Sequence, residues 1–326
     1  MKINWDSEVL STVSKAVDQL EHLSINKDSI ESVADWLAYE EFPFPSSTAA
    51  RDDADDFIRA TMFMNTLNFA FTDFDKSIKY EINEDGKVLS DSEAMYFQVN
   101  NSISSGIKLT DGNEMASISL QQLKNIFVGN IEMPMLKERV EILNEVGQKL
   151  VDSYEGDWLN FIKNGPRKLY ANGEGLIERL VLEFPRFDDS SIYLDKDVNF
   201  YKLAQLAFWG IHGELAHSDY FRIEDMESMT AFADYIVPVA LIVMKITQYS
   251  EELEEKIMNG KMIERNSTEE IEIRAATIYA TAKLTESVNR RRKDVESLII
   301  PQLDYRLWKH YHATHFPHHL TYTTMY

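Results

Sequence analysis

The chain contains no cysteine in 326 residues. That absence excludes disulfides and thiolate-bound metal, and it suits a reducing compartment. Basic residues are few: 33 Lys and Arg face 54 Asp and Glu, for a net charge of -21. A chain so acidic repels polyanions, which argues against tRNA or DNA as substrate and for a small molecule. The longest apolar run, Met229 to Met244, is shorter than the ~20 residues that a bilayer requires and is interrupted by Asp234 and Pro238, so no membrane span is expected. The start, Met1-Lys2-Ile3-Asn4-Trp5-Asp6, lacks the apolar core of a secretory signal, and the expectation is a cytosolic protein. There is no Gly-x-Ser-x-Gly elbow, no phosphate-binding P-loop and no dinucleotide fingerprint, so acyl transfer, NTP hydrolysis and hydride transfer lack support and no cofactor is expected.

Metal motifs are also wanting. His310, His312, His315, His318 and His319 crowd the end of the chain, but their spacings match no standard ligand pattern and Pro317 breaks any regular face. Glu214 and His217 have the Glu-x-x-His spacing of di-iron bundles, yet that chemistry needs a second pair and two further acids. No metal is expected.

What is present reads as helix. With 44% hydrophobic residues the chain can bury a substantial core, as a single domain over 1–326 or as two interdigitated helical lobes, and no internal repeat or linker divides it. Ile30, Val33, Ala34 and Leu37 predict a helix over 28–39, capped at Asp28-Ser29. A loop marked by Pro43 and Pro45 precedes the acids Asp52, Asp53, Asp55 and Asp56, which read as a solvated helix start. Pro134 opens a helix to about Val151, with Leu136, Val140, Leu143 and Gly147 on one face and Glu138, Glu141 and Glu145 toward another. Residues 201–215 alternate with helical period. Ser267-Thr268-Glu269-Glu270 is a capping box that opens a helix with Ile271, Ala275, Ile278 and Ala282 inward. Pro301 leads a last helix that sets Asp304, Leu307, Trp308 and Tyr311 on one face. The clearest strand signal is a hairpin, residues 79–83 and 87–89 joined through Asp85-Gly86.

Two places carry buried charge. The stretch Met229–Met244 reads as a core helix with a bend at Pro238, and its only acid, Asp234, is carried toward low-dielectric surroundings. Acids poised in this way are over-represented at catalytic centres, although one that caps a helix or pairs with a buried Arg is the plainer alternative. Arg274, on the inner stripe of its helix, and Asp304 face inward as well, and a structural pair between them is one outcome. Asn68, inside an apolar run, needs a partner from backbone or ligand.

Six collinear segments, spread from about residue 55 to the end, resemble the queuosine salvage family, the queuosine 5′-phosphate N-glycosylases. They are Leu67-Asn68-Phe69-Ala70-Phe71; Met133-Pro134-x-Leu136-x-Glu138-Arg139-x-x-Ile142-Leu143-Asn144-Glu145-x-Gly147; Phe200-Tyr201-Lys202-x-Ala204-Gln205; Thr230-x-Phe232-Ala233-Asp234-Tyr235; Glu270-x-Glu272-Ile273-Arg274; and Leu303-Asp304-Tyr305-x-Leu307-Trp308. The resemblance implies a mainly α fold akin to the DNA glycosylases, with the small antiparallel hairpin, and hydrolysis of the bond between a 7-deazaguanine base and ribose 5-phosphate. The family's catalytic Asp falls on Asp234, and residues that line or hold the base fall on Phe232, Ala233, Asp304 and Tyr305. Asn68, Lys202 and Arg274, which lie in the matched segments, are further candidates for substrate binding. Phe232, Tyr235 and Trp209 are the aromatic walls expected to sandwich the base. The aromatic chain end at Tyr326 resembles the family's, and the sequence leaves open whether it folds back over the pocket.

The chain departs from the family pattern around that pocket. It has Leu203, Ile236, Leu320 and Tyr322 where basic residues are usual, Gly210 and Lys309 where an Asp is usual, and Thr72 for a Trp. The lost cations bear on phosphate recognition and the lost acid at Lys309 on the base's amino side chain. Two alternatives therefore stand beside the hydrolase: a non-catalytic binder of a modified base, and a glycosylase for a different nucleoside.

Overall fold

The computed structural model describes residues 3–42, 53–76, 78–218, 220–312, 314 and 316–326. The loop expected at Pro43 and Pro45, Asp52 of the acidic cluster and His315 lie outside the described residues. The fold is mainly α: the described residues form 14 α-helices and three two-stranded antiparallel sheets. No described helix is long and apolar enough to cross a membrane.

The structure is arranged about one helix, Thr268–Arg291. Ser267 caps it by accepting from the Glu270 amide, but the Glu270 carboxylate reaches back to Asn266 rather than to the cap residue itself. Its expected inner residues Ile271, Ala275, Ile278 and Ala282 are buried, yet so are residues on its other sides. The reason is its neighbours: helices Glu8–Val17, Lys27–Leu37, Val237–Val243 and Ile300–Tyr311 all pack against it. The buried apolar side chains form three clusters, and this helix enters each of them, through Ile278 and Ala282, through Leu284 and Val288, and through Ile273 and Ala276.

Local rules explain most of the other elements, with two adjustments. The second helix runs Lys27–Leu37 and is capped by Asn26, whose side chain accepts from the Ser29 amide, one turn-start earlier than expected. Asp53, Asp55 and Asp56 do sit at the start of a helix, Ala54–Thr66. The helix after Pro134 spans Leu136–Tyr154; a Cβ on Gly147 would come within 2.3 Å of the Ala116 amide nitrogen, so glycine permits its close contact with helix Gly112–Ser117. The hairpin pairs Glu81–Glu84 with Lys87–Ser90 around Asp85 and Gly86, both left-handed. A second hairpin, Ser190–Tyr193 with Lys196–Asn199, was hidden because its turn, Leu194-Asp195, adopts positive φ without a glycine.

The larger adjustment concerns residues 229–244. Only Val237–Val243 is helical, with Pro238 in its first turn. Residues 229–236 run as irregular backbone, so Asp234 lies ahead of the helix, where the chain bends.

Candidate active site

The irregular stretch is braced at successive residues. Gln205, on helix Lys202–Leu215, accepts from the Thr230 amide at 2.8 Å. Asp304, on helix Ile300–Tyr311, accepts from the Phe232 amide at 2.9 Å. Arg274 donates to the Ala233 carbonyl at 3.3 Å, and Asp234 Oδ1 accepts from the amides of Ile236 and Val237, both at 2.9 Å. Arg274 is itself held by Asp189 through paired bonds of 2.8 and 2.5 Å, and its guanidinium lies over the rings of Phe200 and Tyr326. Arg274 and Asp304 are thus both buried but do not pair with each other: Asp189 takes the cation, and Asp304 takes a backbone amide.

A second irregular segment follows helix Ala54–Thr66. Arg139 donates to the carbonyls of Leu67, Phe69 and Ala70, and Arg186 donates to that of Thr66. Both guanidinium groups lie over the Phe69 ring, at 4.2 and 4.8 Å. This clamp presents Asn68, which donates to the Tyr96 hydroxyl at 3.0 Å. The chain end closes the arrangement, because Ala70, at φ 46°, donates its amide to the Tyr326 carbonyl.

Between these segments lies a cavity of about 470 Å³, within the size range of small-molecule sites. Asn68, Lys202, Phe232, Asp234, Asp304 and Tyr305 all line it, as do Trp209, Tyr235 and Tyr326. Ala233 and Arg274 are not lining residues; they stand one layer behind, joined by their hydrogen bond. On helix Ile300–Tyr311 and just past its end, Tyr305, Trp308 and His312 form a stacked ladder along one side, with ring centroids 6.3 and 4.9 Å apart. Among the departures noted in the sequence, Gly210 and Ile236 line the cavity, whereas Lys309 does not. No group of three metal-ligating side chains occurs among the described residues.

Burial governs the charges. It raises the pKa of the Asp234 carboxyl above the ordinary aspartate value, against the pull of Lys202 and of the amides of Val237 and Ile236. Asp304 lies well above its ordinary value, first from burial and then from the nearby Asp234 charge. Lys202 is pushed the other way, to about 8, by burial that Asp234 and Asp189 only partly offset. Its ammonium makes no ion pair among the described residues. The arrangement is an aromatic-walled chamber in which backbone amides hold the carboxyls of Asp234 and Asp304, with the Lys202 ammonium beside them.

Asp189, Tyr96 and Asp91, which also line or support the chamber, were not singled out in the sequence, whereas Trp308 was read as inward-facing and His312 was weighed only as a metal ligand. For Trp308 the helical spacing from Asp304 was the available signal. For Asp189 and Asp91 there was none, because an acid next to a strand or at a helix start looks like any other.

Comparison with known proteins gives the chamber a context. A sequence model of the family described as queuosine salvage protein matches residues 48–326. A protein of Sphaerobacter thermophilus is 28% identical over 324 residues, covering 98% of this chain and 97% of the relative. A protein of Mus musculus is 29% identical over 251 residues (75% and 73%), and one of Schizosaccharomyces pombe 27% identical over 300 residues (86% and 82%). Each of the three bears the name queuosine 5′-phosphate N-glycosylase/hydrolase.

Proposed function

Because the chain belongs to the queuosine salvage protein family, we propose that it is an N-glycosyl hydrolase acting on queuosine 5′-phosphate or a related 7-deazaguanine nucleotide or nucleoside. The names of the relatives supply the reaction. In this chain one observation carries it: a buried carboxylate, Asp234, is fixed through Oδ1 beside an aromatic cavity, which leaves Oδ2 for a ligand.

The base stacks on the Tyr305–Trp308–His312 ladder and on Phe232, and Asp304 meets its edge. The ribose presents C1′ to Asp234 Oδ2. As the C1′–N9 bond breaks, its electron pair leaves with the base and positive charge builds on the sugar; a fixed carboxylate in a water-poor site stabilises that charge or captures C1′ covalently. Water completes the reaction, adding hydroxide to C1′ and a proton to the base. A 7-deaza base has no N7 to protonate, so the acid must act elsewhere. Asp304, whose pKa burial and its neighbour's charge raise well above the ordinary aspartate value, is our candidate for it. Lys202 meets the anionic part of the substrate and helps to keep Asp234 ionised. Arg274 is a positioning residue, acting through Ala233 on Asp234. The surplus of acids supports a small substrate rather than a nucleic-acid polymer.

The test is chromatographic detection of free base from a panel of 5′-phosphorylated and unphosphorylated nucleosides. Release from queuosine 5′-phosphate is the expected result. Tight binding with no base released from any member would make the chain a binding protein instead.

A further inference from the structure

Asp91 lines the same cavity and takes no part in the chemistry above. It is the first residue of helix Asp91–Ser104 and sits at φ 55°, a left-handed conformation that Asp and Asn tolerate better than other side chains. Its amide donates to the Tyr80 carbonyl, which ties it to the hairpin. Lys79 meets Oδ2 at 3.2 Å and is also within 3.5 Å of the His312 carbonyl. Oδ1 is buried and has no hydrogen-bond partner. A carboxylate oxygen in that position is costly unless something supplies a donor.

The phenol of Tyr235 lies in the field of both Asp91 and Asp234, so the two carboxylates share one neighbour. Of the three aspartates among the described residues that line the cavity, Asp304 is the acid of the mechanism above, which leaves Asp91 and Asp234 as carboxylates beside Lys202, the one lining Lys or Arg. A ligand that brings its own positive charge is favoured over a neutral one of the same shape.

Taking from the hydrolase reading only that the ligand is a 7-deazaguanine, we propose that Asp91 is a specificity-determining residue whose carboxylate accepts an ammonium group on the base's C7 substituent. The competing account is that Asp91 merely staples the hairpin to its helix through Lys79. A staple stabilises every ligand complex equally, whereas a recognition group separates ligands by charge.

Calorimetric titration of the full chain with 7-aminomethyl-7-deazaguanine and with 7-cyano-7-deazaguanine distinguishes them. The wild-type protein should bind the amine at least about tenfold more tightly. Asp91→Asn and Asp91→Gly, both compatible with the left-handed backbone, should bring the two affinities together. Equal binding of the two bases by the wild type, binding of neither, or a preference that survives both substitutions overturns the proposal. Base release assayed on the same wild-type preparation keeps the two readings apart: selectivity without hydrolysis removes the hydrolase and leaves Asp91 its role, and hydrolysis without selectivity does the reverse.

Discussion

In the proposed mechanism Asp234 combines two roles that the sequence offered as alternatives. As a cap it satisfies two amides at the start of a helix, and as a cavity acid it keeps an oxygen for a ligand. The roles use different oxygens, so neither excludes the other. In the proposed mechanism ionised Asp234 is the active form, so activity should be lost as pH falls through its raised pKa, at a higher pH than for an ordinary aspartate. Lys202 is charged below about 8 and neutral above it, so kcat/KM for a 5′-phosphorylated substrate should fall again as pH rises through that value. Lys202→Arg should remove the fall near pH 8, since guanidinium stays protonated there. A pH profile of kcat/KM for the two proteins checks both limbs.

At the scale of elements, the site is irregular backbone held by buried side chains. Asp189→Asn removes the nearer of the two carboxylates that pair with Arg274 and leaves the buried cation to Glu270 at 3.5 Å, which should cost about 3 kcal/mol of stability and lower kcat by loosening Ala233 and Asp234. Denaturant titration and steady-state assays check the two effects. Gly147→Ala, at a position that does not line the chamber, should cost roughly 2 kcal/mol by pressing Cβ onto the Ala116 amide, with kcat/KM unchanged; an altered kcat/KM would show that the helix pair is coupled to the site.

The same scale marks what could be read in the sequence. Helices with a clean apolar period, and the hairpin with Asp-Gly at its turn, were legible because local rules specify them. The helical reading of 229–236 failed because those residues are apolar enough for a buried helix, while Gln205, Asp304 and Arg274 bind their backbone in another shape. Asp234, Asp304 and Lys202 could be found as a buried acid, an inward acid and a matched segment. Asp91 and Asp189 could not, because their importance comes from tertiary neighbours alone.

Over the whole molecule, helix Thr268–Arg291 joins all three apolar clusters and also carries Arg274. Unfolding should therefore be cooperative despite the chain's length, with far-UV circular dichroism and Trp fluorescence changing together; Trp158 lies in one cluster and Trp308 packs against another. Separate transitions would mean that the clusters unfold independently. The chain end belongs to the same unit, because Tyr326 both lines the chamber and covers Arg274.

The account rests on the ionised oxygen of Asp234, and the rate of base release by Asp234→Asn measures it most directly. Asn retains an oxygen for the amides of Ile236 and Val237, so the fold should persist, with an unfolding midpoint within about 3 °C of the wild type. Release of queuine from queuosine 5′-phosphate should fall by about 10³-fold or more. A folded variant that turns over within a few-fold of the wild type would contradict the mechanism.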